Sequence, residues 1–428
     1  MKNSGVDWLG DIPIHWELHR ARFMFKQSTT KGNERLVLLS ATQDRGVVDK
    51  STLDSVVQVA EDADLSLFKT VHKNDFVISL RSFQGGFEIS HEEGVISPAY
   101  TVFRLTKQEY PHYYRYLFKC SGFIDKINSL TVGIREGKNI QYVDFSNMLL
   151  PYFSLAEQQK IASFLDRKCA EIDEMIALQE KIVEELKAYK QSVITEAVTK
   201  GLNPDAPMKD SGIEWIGEIP EHWRQCRLKN YFHIHGRIGW NGLRSDEFEE
   251  SSYAYLVTGQ DFKAKDIDWK KCYQIRKERY DEDPFIQLTE GDILVTKDGT
   301  IGKVAVVKGL NKPACLNSGI FVVKQYDPKV FDSGYVYWLM VSPLLKTFND
   351  FLNLGGTTII HLYQNVFERM PLVLPPLEEQ TNIANYLDTK CSEIDGLINI
   401  KQSKIDSLKE YKKSIIYEYV TGKKDVTL

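Results

Sequence analysis

The amino-acid sequence predicts an α+β protein in which two mixed α/β domains are separated by two long helices that pair as an antiparallel coiled coil. Three observations lead to this fold class. A block near the N-terminus recurs later in the chain, two long segments carry apolar residues at near-heptad spacing, and short β-type runs occupy much of the remainder. Because a duplicated sequence is the usual mark of a repeated architecture, we also expect a pseudo-two-fold relationship between the two copies.

Length and composition are those of a soluble protein with more than one domain. The chain has 428 residues, of which 43% are hydrophobic and 26% are charged, and chains of this length usually form several cores. No segment approaches the roughly 20 apolar residues of a membrane helix, and the N-terminal residues lack the pattern of a signal peptide. We therefore expect a cytoplasmic protein.

Charge and cysteine usage exclude some classes of site. The net charge of −5 argues against nonspecific wrapping of nucleic acid, although a DNA binder with local basic groups stays possible. The six cysteines and nine histidines show no metal-ligand spacing. The sequence therefore predicts reduced thiols and no metal site.

The internal duplication consists of two pairs of matching blocks. Residues 4–16 match residues 211–223 at an offset of 207, and residues 157–173 match residues 379–395 at an offset of 222. These blocks are closely similar, whereas the sequences between them hardly match. A constant frame with divergent interiors indicates that the two interiors perform the same task on different targets.

The segment 155–200 predicts one long helix, and the second copy of its sequence predicts another near the end of the chain. No proline lies between Glu157 and Gly201, and Gly201 is expected to end the helix. A helix from Ala156 to Val198 would have 43 residues and span about 64 Å. The predicted apolar stripes are Leu165, Ile172, Met175, Ile182, Leu186, Tyr189 and Val193, and Leu387, Ile394, Leu397, Ile405, Leu408, Tyr411 and Ile415.

Two similar stripes in one chain most simply bury against each other, because each helix is too charged on its outer face to be stable alone. In an antiparallel pair, each helix would bury its apolar stripe against the other. The alternative is that each helix packs against its own globular domain.

The sequences between the helices predict mixed domains of strands and short helices. Short β-type runs occur at 75–81, 291–297, 304–307 and 319–323, and the segment from Tyr335 to Phe351 predicts a helix. The predicted boundaries are 1–154 and 203–376 for the two domains, and 155–202 and 377–428 for the two helices.

Several motifs stand in a constant order along the chain. They are Trp-Leu-Gly-Asp-Ile-Pro-x-His-Trp at 8–16 with its second copy, Gly-Asp-Ile-Leu at 291–294, Asp-Gly-Thr-Ile-Gly-Lys at 298–303, and Leu-Pro-Pro-Leu-Glu-Glu-Gln at 374–380. In this order they resemble the specificity subunit of type I restriction-modification systems, and the resemblance covers essentially the whole chain. The first half departs from the pattern at 79–86 and at 151–158.

The resemblance implies a function in DNA recognition. Each domain would be a target recognition domain that reads one half of a split site in double-stranded DNA. The helices would act as spacers that set the unread gap, and they would form a platform for two methyltransferase subunits, which restriction subunits join. Use of S-adenosylmethionine, ATP and Mg²⁺ would belong to those partners, so that this chain would hold no cofactor.

The motifs of the common DNA and nucleotide enzymes are absent from the sequence. The segment 283–285, Asp-Pro-Phe, has a single proline where a base-flipping methyltransferase would need two. There is no Gly-x-x-x-x-Gly-Lys-Ser/Thr loop for ATP phosphates and no Gly-x-Ser-x-Gly elbow. We therefore predict a non-catalytic subunit.

Base reading requires side chains such as Arg, Lys, Asn and Gln at base edges, and glycine allows the backbone to approach closely. Such loops occur at 81–86, 133–142, 237–244, 297–300 and 355–364. The candidate DNA-binding residues are Arg81, Ser82, Gln84, Arg135, Lys138, Asn139, Gln141, Arg237, Asn241, Arg244, Lys297, Thr300, Thr357, Thr358, His361 and Tyr363. For each loop the alternative is a solvated surface turn.

The tryptophans of the repeated blocks and the lysines near the end of the chain are interpreted as structural rather than DNA-binding residues. We predict that Trp8, Trp16, Trp215 and Trp223 are core anchors rather than base-stacking groups, because they lie in the repeated frame. The tail residues 423–424 are predicted to be a solvated end.

Two competing functions remain open at this point. One is a coiled-coil scaffold that binds only proteins, or an inactive relic of the family, which the sequence pI of about 6.1 favours slightly. The other is a self-contained DNA enzyme, which the missing motifs disfavour. Salt-sensitive DNA affinity would separate a DNA reader from a scaffold.

Overall fold

The computed structural model describes residues 1–32, 36–43, 45–53, 65–79, 86–106, 109–130, 140–237, 243–352 and 362–426. The chain forms two compact units. Unit 1 comprises Met1–Glu180 with Gln402–Leu428, and unit 2 comprises Lys181–Lys401. Each unit therefore contains one mixed domain together with parts of both long helices.

The domain of unit 1 is built from short strands and three helices, and a long helix follows. The strands are β1 (Lys2–Asn3), β2 (Asp11–Ile12), β3 (Glu17–Arg20), β4 (Phe25–Ser28), β5 (Leu39–Thr42), β6 (Gly46–Asp49), β7 (Lys69–Val71), β8 (Phe76–Ile78), β9 (Phe87–Ile89), β10 (Gly94–Ile96), β11 (Thr101–Leu105) and β12 (Leu149–Tyr152). The helices are α1 (Pro111–Leu117), α2 (Ser121–Leu130), α3 (Tyr142–Asn147) and the long α4 (Leu155–Lys200).

The domain of unit 2 has the same kind of construction. Its strands are β13 (Met208–Asp210), β14 (Glu218–Pro220), β15 (Arg224–Arg227), β16 (Phe232–Gly236), β17 (Ala254–Val257), β18 (Phe262–Lys263), β19 (Asp266–Ile267), β20 (Tyr273–Ile275), β21 (Ile293–Thr296), β22 (Val304–Val306), β23 (Ala314–Leu316), β24 (Ile320–Gln325) and β25 (Pro371–Leu374). Its helices are α5 (Lys277–Asp281), α6 (Ser333–Val341), α7 (Pro343–Leu352) and α8 (Gln364–Phe367), and the long α9 (Leu377–Val420) follows.

The sheets of the two units share their topology, which confirms the predicted repeat. Each unit has a four-stranded antiparallel sheet, with strand order β4-β11-β8-β9 in unit 1 and β16-β24-β21-β22 in unit 2. Each also has a pair that joins the N-terminal block to the strand before the long helix, β3 with β12 and β15 with β25. Beside the four-stranded sheet, unit 2 has a sheet of order β20-β17-β23, and unit 1 has the pairs β10-β7 and β5-β6.

Both faces of the four-stranded sheet in unit 2 are buried, because side chains alternate along a strand. Ile293 and Val295 face a core formed with α6, while Leu294 faces the core formed with β17 and β23. In unit 1 the equivalent sheet packs against an aromatic cluster, in which Phe25 lies 5.9 Å from Phe76 between ring centroids.

The predicted helix from Tyr335 to Phe351 is two helices. Ser342 separates α6 from α7 with an extended ψ of 158°, and Pro343 begins α7. A proline disfavours helical geometry in the residue before it and cannot donate a backbone hydrogen bond, which explains the break.

Burial along the long helices corrects the predicted apolar stripes at two positions in each copy. Met175, Tyr189, Leu397 and Tyr411 are exposed. The buried seam instead alternates steps of four and three residues, because a coiled-coil contact repeats every 3.5 residues. The seam includes Leu165, Cys169, Ile172, Ile176, Val183, Val193 and Ala197 of α4, and Leu387, Cys391, Ile394, Ile405, Leu408 and Ile415 of α9.

Within unit 1 the segments of α4 and α9 run antiparallel, as predicted. The rings of Phe164 and Tyr419 pack with centroids 4.4 Å apart, and Glu180 pairs with Lys409 at 3.5 Å. As the residue number rises along α4, the number of its partner falls along α9.

Two equivalent ion pairs fix the register of the helices. In unit 1, Nζ of Lys412 lies 2.6 Å from Oδ1 of Asp173. In unit 2, Nζ of Lys190 lies 2.6 Å from Oδ2 of Asp395. The two pairs occupy the same positions of the repeat, since both lysines and both aspartates differ by 222.

The repeated sequence blocks contact each other in the folded chain. Trp16 Nε1 donates to Glu157 Oε1 at 2.9 Å, and Nε2 of His15 lies 3.0 Å from the other carboxylate oxygen. In unit 2, Trp223 Nε1 donates to Glu379 Oε2 at 2.9 Å. Both tryptophans are fully buried, so the predicted role as core anchors is confirmed for them.

A buried glutamine at the start of each long helix satisfies backbone groups of its domain. Gln380 accepts a hydrogen bond from the backbone N–H of Asp332 at 2.9 Å and donates to the carbonyl of Pro375 at 3.0 Å. Gln158 makes the equivalent bonds in unit 1. The Glu-Gln pair of each repeat is therefore a structural joint between helix and domain.

Each domain also binds the C-terminal end of a long helix. In unit 1 the hydroxyl of Tyr113 donates to the carbonyl of Val420 at 2.7 Å, and in unit 2 that of Tyr335 donates to Val198 at 3.3 Å. Unit 1 thus holds the end of α9, and unit 2 holds the end of α4.

The tail after α9 was predicted to be a solvated end, and the structure corrects this. Nζ of Lys423 donates to the carbonyl of Leu9 at 2.8 Å and also to that of Asp11. Lys424 pairs with Glu418 at 2.9 Å. Lys423 is thus bound to carbonyl groups of the N-terminal block, whereas the partner of Lys424 belongs to α9.

Candidate nucleic-acid interface

Three loops of unit 2 meet at one end of its strands and enclose a polar cleft. The loops follow β17, β21 and β23, and the cleft between them has a volume of about 330 Å³. Its lining includes Thr258, Gln260, Thr300, Lys303 and Asn317. We call this set of loops and residues the unit 2 cleft.

The loop after β21 is a tight turn held by its own hydrogen bonds. Oγ1 of Thr296 donates to the carbonyl of Thr300 at 2.5 Å and accepts from the backbone N–H of Lys303 at 3.0 Å. Gly299 and Gly302 have φ of +68° and +80°, which only glycine adopts without strain. The turn therefore presents Thr300 and Lys303 on its exposed side.

The loop after β17 is held by a buried carboxylate. Oδ2 of Asp261 accepts from the backbone N–H of Thr258 at 2.7 Å and from its hydroxyl at 2.8 Å. A Cβ at Gly259 would lie 2.9 Å from the methyl group of Thr296, so only glycine allows the two loops to approach so closely. Gln260 is left exposed at the tip of this loop.

The third loop joins β23 to β24. The backbone N–H of Asn317 donates to the carbonyl of Val257 at 2.9 Å, which fixes the asparagine beside the loop after β17. Its Oδ1 accepts from the N–H of Ser318 at 2.8 Å. The side chain is thus held in one orientation at the wall of the cleft.

The chemistry of the unit 2 cleft suits base edges. Amide side chains such as Gln260 and Asn317 match the donor and acceptor pair of adenine, and lysine matches the acceptors of guanine or a phosphate. Of the sequence-predicted residues, Thr300 lines the cleft. Gln260 and Asn317 were not predicted, although both follow a strand and neighbour a glycine or serine, the signal used for the other loops.

Lys297 is partly engaged within the protein. Its Nζ lies 4.9 Å above the ring of Phe321, an arrangement that favours a cation. The backbone of Lys297 also accepts a hydrogen bond from Leu362 at 3.2 Å, so this residue ties the turn to the segment before α8.

Arg237 lies in the core, where it cannot meet DNA in this structure. The residue is 2% exposed. Its Nε donates to the carbonyl of Leu316 at 3.0 Å, and its Nη2 lies 3.5 Å from Sγ of Cys315. Burial raises the pKa of Cys315 to about 11, although Arg237 acts in the opposite direction. The candidate base reader of the sequence is therefore a buried support of β23.

Three further candidates are exposed. Arg244 has its backbone N–H bound to Glu247 at 2.8 Å and its side chain in solvent. Gln141 and Tyr363 stand at the N-caps of α3 and α8, and neither makes a side-chain cap bond. They are counterparts at the offset of 222, so the structure places them at the same point of the two domains.

The other candidates lie outside the described residues. They are Arg81, Ser82, Gln84, Arg135, Lys138, Asn139, Asn241, Thr357, Thr358 and His361. Within the described ranges, no group of three or more His, Cys, Asp and Glu side chains could hold a metal ion. No described helix is long and apolar enough to cross a membrane.

Comparison with known proteins shows which family the chain resembles. The type I restriction modification DNA specificity domain matches residues 220–392. Over 67% of this chain the sequence is 28% identical to the specificity subunit of the type I restriction enzyme MjaVIII from Methanocaldococcus jannaschii, and over 64% it is 24% identical to that of EcoBI from Escherichia coli. The chain therefore contains a type I restriction modification DNA specificity domain and is similar to type I specificity subunits over about two thirds of its length. The matched parts span 65% and 58% of those two relatives.

Solved structures show that the fold is that of specificity subunits. A chain from a study of complex assembly and conformational transition of the type I R-M system superposes with a TM-score of 0.71 at 15% identity, covering 96% of this chain and 98% of that chain. The HsdS subunit from Thermoanaerobacter tengcongensis gives a TM-score of 0.54 at 15% identity over the same shares. The predicted fold class is confirmed.

Proposed function

We propose that this specificity subunit reads a bipartite site in double-stranded DNA, with one half-site assigned to the domain of each unit. The observation that carries the proposal is the pairing of one repeated frame with two different interiors. The same tryptophan–glutamate and glutamine joints recur in both units, while the loops between them differ in sequence. Such a design holds the two recognition domains in place and lets the sequence of each domain vary.

The unit 2 cleft supports direct base reading by that domain. Its lining combines two amide side chains, threonine hydroxyls, a lysine and the carboxylate of Asp298 on loops that hydrogen bonds hold in place. Loops held in this way lose little backbone freedom on binding, which favours specificity. The overall charge of −5 means that basic partners would contribute much of the phosphate affinity.

The proposal assigns no chemistry to this chain. Methyl transfer from S-adenosylmethionine and ATP- and Mg²⁺-dependent cleavage would belong to methyltransferase and restriction subunits that assemble on it. In this scheme the subunit works in the cytoplasm beside the DNA that it reads.

An exposed apolar face on the long helices supports the assembly with two methyltransferase subunits. Leu178 of α4 is 56% exposed, and its counterpart Ile400 of α9 is 63% exposed. Met175, Tyr189, Leu397 and Tyr411 extend the same set. Apolar residues exposed at equivalent positions of two repeats are typical of equivalent protein contacts.

Methylome sequencing tests the proposal. Cells carrying this chain and its neighbouring methyltransferase gene are compared with cells that lack only this chain. A methylated bipartite motif that disappears with the chain is the expected result. Unchanged methylation, with the methyltransferase shown to be expressed, would contradict the proposal and favour a protein-binding scaffold.

A domain exchange tests the assignment of half-sites. Replacing residues 17–150 with the first domain of another specificity subunit should change one half-site only. The other half-site serves as the internal control, and a change in both would refute the modular assignment.

A further inference from the structure

One difference between the two units lies where the long helices pack. In unit 1, Tyr419 of α9 packs its ring 4.4 Å from that of Phe164. The counterparts in unit 2, at the offset of 222, are Ala197 and Tyr386. Where unit 1 has two packed rings, unit 2 therefore has an alanine and a tyrosine that is 41% exposed.

Ala197 lines a cleft of about 770 Å³ beside the C-terminal end of α4. We call it the helix-end cleft. Its apolar walls come from Tyr189, Leu202, Met208 and Tyr386. Tyr189 and Leu202 are 51% and 44% exposed, so this wall is open to a partner rather than covered by the chain.

The rim of the helix-end cleft carries an excess of negative charge. Glu196 and Glu218 line it together with Lys200. Both carboxylates are exposed, and within the part of the chain that the structure describes neither forms an ion pair. A partner that fills the cleft would thus bring an apolar side chain with a basic residue next to it, because that combination matches both wall and rim.

We propose that the helix-end cleft is a docking socket for one of the two methyltransferase subunits, which inserts an apolar side chain flanked by lysine or arginine. The inference rests on the proposed function and adds an asymmetry to it. Tyr189 belongs both to the exposed apolar face of the helices and to the socket, so the socket continues that face. Since unit 1 has Tyr419 packed on Phe164 at the position of Ala197, the two subunits bind with unequal affinity.

Substitutions at equivalent positions of the two units test the socket. Ala197→Tyr gives unit 2 the residue of unit 1 and fills the socket, while Tyr419→Phe keeps the ring pair of unit 1 and is the matched control. Each full-length chain is purified with its neighbouring methyltransferase subunit, and native mass spectrometry counts the subunits bound across a dilution series. We expect Ala197→Tyr to retain one subunit where wild type and Tyr419→Phe hold two, with the lost subunit bound at least tenfold more weakly.

A second variant, at the rim of the cleft, distinguishes a loss of binding from a folding defect caused by Ala197→Tyr. Glu218 is exposed, so Glu218→Lys should leave the circular dichroism spectrum unchanged. It should weaken the binding of the same methyltransferase subunit. Two subunits bound with unchanged affinity in both variants would overturn the socket and leave the proposed function intact. A wild-type chain that binds no methyltransferase subunit would overturn the proposed function, and the socket with it.

Discussion

The indole N–H of Trp223 donates a 2.9 Å hydrogen bond to the carboxylate of Glu379. This bond links the N-terminal block of the second domain to the first turn of α9. The indole is fully buried, whereas the side chain of Glu379 is 40% exposed. The same bond joins Trp16 to Glu157 in unit 1, which makes it a property of the repeat.

Removing this acceptor should destabilise unit 2. Glu379→Ala removes a hydrogen bond to a charged acceptor, a loss of about 1.5–3 kcal/mol, and the urea midpoint of the full chain should fall. Glu379→Gln keeps an acceptor at the same place and is the matched control. If Glu379→Ala unfolded at the wild-type midpoint, the bond would make no contribution to the free energy of unfolding.

Residues of the unit 2 cleft should change specificity in one half-site. Gln260→Ala and Asn317→Ala each remove an amide that can bond a base edge, a contact worth about 1–3 kcal/mol of discrimination. Methylome sequencing should show relaxed recognition at one position. The half-site assigned to unit 1 should stay unchanged, and relaxation there would refute the assignment.

Lys303→Ala should behave differently from the amide variants if the lysine contacts phosphate. Affinity would then fall about equally for all sequences, and the slope of log affinity against log salt would lose about one unit. Binding titrations of the assembled complex at several salt concentrations measure this. Altered base preference with an unchanged slope would show that Lys303 reads a base.

The length of the long helices should set the gap between half-sites. Four residues inserted within 181–188 add about 6 Å to α4 and should lengthen the gap. Alone they also shift α4 against α9, whose register the Lys190–Asp395 and Lys412–Asp173 pairs fix in their units. A matched insertion within 403–410 should restore stability with the longer gap, and an active double variant with the original gap would refute the spacer role.

Unit 1 should lose stability in mild acid through His112. Burial, together with Arg115, lowers the pKa of His112 below its ordinary 6.5, while Asp166 acts in the opposite direction. The folded chain therefore binds a proton less readily than the unfolded chain, and stability is lost as pH falls through and below about 6.5. Lys73 and His91 also face this group and oppose its protonation.

His112→Gln removes this titration. Thermal unfolding followed at several pH values between about 8 and 5 should show a smaller acid loss for the variant than for wild type. Equal losses in the two proteins would show that His112 does not contribute.

Much of the frame could be predicted from the sequence because its signals are local or repeated. The long helices follow from proline-free periodic segments, and α4 spans Leu155–Lys200 against the predicted 155–200. The apolar stripe was only partly right. Met175 was predicted to be buried, but a three-residue step from Ile172 places it outside the seam, which continues at Ile176.

The candidate DNA residues were less predictable, because residue type does not reveal exposure. Arg237 has the chemistry of a base reader, yet the backbone carbonyl of Leu316 binds it in the core. Gln260 lies in a stretch with no family motif, and only the approach of the loop at Gly259 to Thr296 brings it to a cleft. Such meetings join residues far apart in the chain, and sequence periodicity does not register them.

By itself the sequence determined the repeat, the two long helices and the family resemblance, since each depends on patterns along the chain. Only the tertiary structure decided how the repeats are joined and where they differ. The bond of Trp223 to Glu379 spans 156 residues, and the helix-end cleft is lined by Ala197, which stands where unit 1 has Tyr419. Both depend on which side chains meet in space, and that is settled by packing rather than by local sequence.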